Sequence, residues 1–139
     1  LVPSVGIEID TYRNNHLLDP PEDHLAIMLN GRIGHQSNLV GPAPVPNLED
    51  CRQHSFIVMW QPGPQKLAVL IDGVERISAN FDLVGKVFGG NPEVYWGMTA
   101  ATGRKYNFHE VCFDRLGYGP TEIQVPWRMG EVVEEYEGE

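Results

Sequence analysis

No stretch of this chain keeps apolar residues at i, i+3, i+4 and i+7 over ten residues; they come in short alternating runs separated by glycine and proline. A period of two places successive side chains on opposite faces of an extended backbone, so the pattern predicts strands joined by turns, an all-β chain. Val5 to Tyr12 alternates with Val5, Ile7 and Ile9 on one face and Glu8, Asp10 and Tyr12 on the other. His24 to Leu29 reads as a second strand closed by Asn30-Gly31, and His54 to Trp60 as a later one. Lys66 to Ile71 and Val74 to Ile77 flank Asp72-Gly73, whose residues tolerate the positive φ angles of a two-residue turn, and so predict a hairpin. Phe81 to Phe88 fits a short helical turn or an irregular segment, Val94 to Ala101 and Phe108 to Phe113 fit two more strands, and residues 35–50 read as a long connection. Six or seven short strands at this spacing suggest a sandwich or jelly roll.

The 139 residues have room for one domain, and the 42% hydrophobic content supports a core. The net charge of −9 disfavours nucleic acid and anionic lipid surfaces and favours cations. Five of the acids, Glu131, Glu134, Glu135, Glu137 and Glu139, form a terminal run that reads as a solvated tail, leaving −4 on the body. No apolar run nears the ~20 residues of a membrane span, and no membrane insertion is expected. Leu1, in place of Met, points to an upstream segment removed. Cys51 and Cys112, neither in a CxxC, fit one disulfide or two thiols.

Glu8 and Asp10 project from one face of one strand, roughly 6.6 Å apart at ~3.3 Å per residue. Asn14, Asp19 and His24 follow, giving Glu-x-Asp-x-Tyr-x-Asn-x4-Asp-x4-His. Hard oxygens suit Ca²⁺, whereas imidazole with carboxylates suits a transition ion such as Mn²⁺. A binuclear site accounts for both sets, with Asp10 and Asp19 bridging, Glu8 and His24 on one side and Asn14 with a backbone carbonyl on the other. Acids on a solvent face beside a lone histidine are the plainer alternative for any one of these residues; their occurrence in order within seventeen positions argues for the site. His35, His54 and His109 have no carboxylate at ligand spacing and read as structural or exposed, and Trp60 and Trp96 as core.

Gly6 to Asn15, Asp19-Pro20 and Asp23 to Ile27 resemble the metal-binding strand, loop and strand of the L-type (legume-type) lectins, in particular their secreted bacterial relatives. Trp60, Leu67 to Gly73, Phe88 to Pro92 and Val94 to Gly103 extend the resemblance over roughly residues 4–113. It implies a concanavalin-like jelly roll in which Glu8, Asp10, Asp19 and His24 hold Mn²⁺ or another transition ion. Ca²⁺ would take Asp10, Asp19, the Asn14 side chain and the Tyr12 carbonyl. The sugar would meet the Tyr12 ring and the Asn14 amide, with Gly103 and Arg104 in the adjacent specificity loop (Thr102 to Lys105). A secreted, non-catalytic carbohydrate-binding module acting in adhesion follows, with a glycan as partner.

The family's other half, which carries a further aspartate and a glycine loop of the sugar site, has no counterpart here. Residues 1–113 thus resemble the C-terminal half of the domain, followed by an acidic extension over 114–139, with the missing half or another subunit expected to complete the sheet. A homo-oligomer, or a structural subunit of an extracellular filament or adhesive protein, is the alternative use of such open edges. A glycoside hydrolase on a related jelly roll needs Glu-x-Asp-x-x-Glu, and Arg13 stands at the second glutamate position.

Overall fold

The computed structural model describes residues 1–103, 105–114 and 116–117. Leu1–Asn107 forms one compact unit, and Phe108 opens a second. The expected acidic extension lies almost wholly outside the described residues.

The first unit is all-β: β1 (Val5–Asp10), β2 (His24–Leu29), β3 (Val40–Pro44), β4 (Phe56–Gln61), β5 (Lys66–Ile71) and β6 (Val74–Asn80). They form two antiparallel three-stranded sheets in the orders β1-β2-β3 and β4-β5-β6. Alternation explains the core: Leu25 and Ile27 of β2, Leu67, Val69 and Ile71 of β5 and Ile77 of β6 turn inward and pack with Val45 and Leu83. Val5, Ile7, Phe56 and Trp60 close the margins. Each fully buried side chain of this kind is worth about 1.5–3 kcal/mol relative to exposure, so this cluster dominates cohesion of the unit.

The Asp72-Gly73 hairpin forms as expected, with φ of 52° at Asp72 and 74° at Gly73. The helical turn within Phe81 to Phe88 is α1 (Leu83–Lys86); Asp82 caps it by accepting from the Gly85 N–H at 2.8 Å.

Several expectations change. The stretch 35–50 is not merely a connection, because β3 lies within it and pairs along β2. Its Gly41 sits at φ 100°, where an added Cβ would lie 2.8 Å from the Leu25 carbonyl oxygen; only glycine lets the strands approach through the register shift there. β1 ends at Asp10, not Tyr12, because the Asp10 Oδ1 accepts the Tyr12 N–H at 2.7 Å and turns the chain. Ile9, expected inside with Val5 and Ile7, is exposed at this fraying end.

Val94 to Ala101 and Phe108 to Phe113 form no strand, and Trp96, expected in the core, is 52% exposed. Apolar alternation supplies a face to bury but no partner for backbone N–H and C=O groups, and no edge strand pairs with these segments among the described residues. Cys51 and Cys112 are free, exposed thiols.

Candidate metal centre

Antiparallel pairing of β1 with β2 sets Asp10 opposite His24 and Glu8 opposite Ala26. Directly opposed residues share a face, so Glu8, Asp10 and His24 stand together on the side away from Leu25 and Ile27. Ala26, across from Glu8, is fully buried and small.

The loop between these strands brings back Asp19, which is only 5% exposed. Its Oδ2 accepts the Asn14 backbone N–H, while a 3-10 turn at Asn15–Leu17 and a left-handed Leu18 (φ 70°) reverse the chain. Carboxylates at 10 and 19 thus fold the loop around themselves by accepting the N–H groups of Tyr12 and Asn14. Asp10, Asp19 and His24 offer ligand atoms within 4.8 Å of one another, a spacing that one cation can span.

A residue that the sequence reading set aside also arrives here. His35, in the 3-10 turn His35–Ser37, is not simply structural or exposed: its side chain is 3% exposed and its Nε2 stands 3.0 Å from Asp19 Oδ1 and 3.1 Å from His24 Nε2. Glu8, His24 and His35 form a second group with ligand atoms within 4.8 Å. Sixteen residues separate His35 from Asp19, and no local spacing signals their contact; it follows from the return of the chain along β2 into β3.

The hydrogen bonds define which lone pairs are committed. His24 Nδ1 lies 3.2 Å from the Glu22 carbonyl, which only accepts, so Nδ1 donates to it and Nε2 is the nitrogen turned into the cluster. His35 Nδ1 lies 2.7 Å from the Asn38 side-chain amide, which orients the ring. Glu8 Oε2 is buried without a hydrogen-bond partner. Burial pushes the Glu8 carboxyl above its ordinary range, His35 opposing and Asp10 adding to the shift. With an orphaned, buried carboxylate oxygen beside two facing imidazoles, these residues could hold a divalent ion.

The remaining candidates are placed less centrally. Tyr12 is 50% exposed beside the loop, and Asn14 is half-buried in it. Gly103 lies in an exposed turn, donating to the Lys105 carbonyl at 3.1 Å. Arg104 lies outside the described residues.

A second histidine cluster occupies the approach to β4. His54 Nδ1 meets Asp72 Oδ2 at 2.7 Å and its Nε2 meets Asp50 Oδ1 at 3.1 Å, while the Ser55 N–H donates to Asp72 Oδ1 at 2.9 Å. Two carboxylate acceptors require both ring nitrogens to carry protons, so His54 is held as imidazolium. The hydrogen bonds to Asp72 and Asp50 raise its pKa, and the His54 hydrogen bond lowers that of Asp72.

No helix among the described residues is long and apolar enough to cross a membrane. No model of a known protein family matches the chain.

Proposed function

We propose that this chain is a metal-dependent carbohydrate-binding module of the L-type lectin kind, built on part of a concanavalin-like jelly roll. The observation that carries this reading is the convergence of Asp10, Asp19 and His24, with Glu8 alongside, into groups compact enough for a cation. Glu8, Asp10, Asp19 and His24 would hold a transition ion; Asp10, Asp19, Asn14 and the Tyr12 carbonyl would hold Ca²⁺. A bound cation supplies charge that neutralises the clustered carboxylates and fixes the loop. The loop then holds the Tyr12 ring and the Asn14 amide in one orientation, an apolar face and a polar group suited to a sugar's mixed surface. The module has no assigned catalytic residue and is proposed to act outside the cell.

Calorimetric titration of the chelator-treated full chain with Ca²⁺ and Mn²⁺ tests the metal requirement. Uptake of both, followed by glycan-array binding that disappears with EDTA, supports the reading; failure to take up either ion removes it.

The exposed apolar surface favours a second reading. On β4, Ile57, Val58 and Met59 are exposed, as are Val94, Trp96 and Met98 downstream. Exposed apolar side chains on a strand are candidates for burial against a partner. A subunit or companion segment that completes the sheet, including a second copy of this chain in an extracellular assembly, would cover it. Sedimentation analysis decides: concentration-dependent association supports assembly, and a well-folded monomer at high concentration opposes it.

A further inference from the structure

Three atoms in the centre form a nearly right-angled triangle: His24 Nε2 to His35 Nε2 is 3.1 Å, His35 Nε2 to Asp19 Oδ1 is 3.0 Å, and Asp19 Oδ1 to His24 Nε2 is 4.0 Å. The point equidistant from these three atoms lies about 2.0 Å from each, a distance within error of ordinary metal bonds to imidazole nitrogen and carboxylate oxygen. In an octahedron neighbouring ligands stand √2 times and opposite ones twice the bond length apart, about 2.8 and 4 Å for bonds of about 2.0 Å. The triangle therefore matches three ligands in one plane, with His35 between His24 and Asp19.

We infer that His35 is a direct ligand of the transition ion, making the centre a two-imidazole site selective for the Co²⁺, Ni²⁺ and Zn²⁺ class over Mn²⁺. This rests on the metal-dependent reading above and adds to it a ligand that no spacing in the sequence announces. The second orienting contacts are already present: Glu22 O fixes the His24 ring and Asn38 Nδ2 the His35 ring, each through the nitrogen turned away from the triangle. An ion held there would take a lone pair from each of the two Nε2 atoms and from the Asp19 oxygen, and any proton those atoms carry would leave to solvent. Each added imidazole favours the later ions, whereas carboxylate and water suit Mn²⁺ and Ca²⁺. Affinity rises from Mn²⁺ towards Cu²⁺ at almost any nitrogen and oxygen site, so the diagnostic quantity is how far the Zn²⁺-to-Mn²⁺ preference falls when His35 is removed.

The test is calorimetric titration of the chelator-stripped full chain and of His35→Ala with Zn²⁺ and, separately, Mn²⁺. Pulsed electron paramagnetic resonance of samples loaded with one equivalent of Cu²⁺ counts coordinated imidazoles. The expected result is a loss of about tenfold or more in Zn²⁺ affinity in His35→Ala, the scale seen on losing even an outer-shell partner, with Mn²⁺ affinity changed far less. Two imidazoles on Cu²⁺ in the native chain and one in the variant complete it. A Zn²⁺-to-Mn²⁺ preference unchanged by His35→Ala, with one imidazole in each protein, overturns the role of His35 and leaves the metal-dependent reading standing. Failure of the native chain to take up any ion overturns both. Should His35→Ala not fold, the imidazole count in the native chain decides alone: two supports the assignment and one overturns it.

Discussion

Two clusters in this molecule are made from the same residue types and behave as opposites. Around His54, each ring nitrogen faces a carboxylate and the cluster is open to water; one proton on each nitrogen completes every hydrogen bond. Around His24 and His35, two Nε2 atoms face one another, both rings are almost fully buried, and the Glu8 Oε2 has no partner. The first cluster is complete with protons alone, while the second leaves a buried carboxylate oxygen unserved. Histidine and aspartate therefore do not by themselves make a metal site; what matters is whether the nitrogens face acceptors or each other, and whether water is present to serve the remainder.

The widest separation between the clusters should come from their aspartates. Asp19→Ala removes the carboxylate shared by the loop and both imidazoles and should weaken Zn²⁺ or Mn²⁺ binding by about 100-fold or more by calorimetry, since a direct ligand is lost. Asp72→Ala should leave metal affinity within about threefold, because both clusters bind nothing in common; a large loss there would break the contrast.

Metal linkage comes next. An ion at 100 times its Kd should stabilise the folded chain by about 2.7 kcal/mol, read as a rise in thermal midpoint that EDTA reverses. His54→Gln should melt at a different temperature from the native chain yet show the same metal-induced rise. Gly41→Ala should cost roughly 1–3 kcal/mol, because it forces a Cβ against the Leu25 carbonyl at φ 100°, and should lower metal affinity together with stability. In this variant the His54 hydrogen bonds, which lie in the other sheet's approach, should keep their titration behaviour.

The smallest effect concerns pH. Hydrogen bonds to Asp72 and Asp50 raise the pKa of His54 above 6.5, so its stabilisation is fully present below pH 6.5 and is lost as pH rises through the folded value. Asp72 is shifted in the opposite direction, below 3.8, so its share is present above pH 3.8 and is lost as pH falls through the folded value. The clamp therefore works across mildly acidic pH and loosens towards alkaline pH. An NMR titration of the His54 ring should show a midpoint above that of an unstructured histidine, and Asp72→Asn should bring it down; an unshifted midpoint would contradict the clamp.

Local pattern made several elements legible. Strict alternation in β1 and β2, and Asp-Gly between two apolar runs, specify strand, face and turn through contacts within a few residues. β3 was hidden because Val40–Pro44 contains glycine and two prolines, and it forms a strand only by completing the free edge of β2. The alternation at Val94 to Ala101 misled for the converse reason: the pattern exists, but no ladder accepts it among the described residues.

By itself the sequence determined that Glu8 and Asp10 share a face and that Asp19 and His24 are close enough in the chain to join them, because strand geometry fixes side-chain direction over such distances. Only the tertiary structure decided that His35, and not His54, joins them. His24 and His35 meet because the segment leaving β2 folds back before pairing as β3, and His54 is engaged by Asp72 from a hairpin turn 18 residues away. Spacing governs neighbours within an element; the packing of elements, driven by burial of Leu25, Ile27 and Val69, governs which distant side chains share a site.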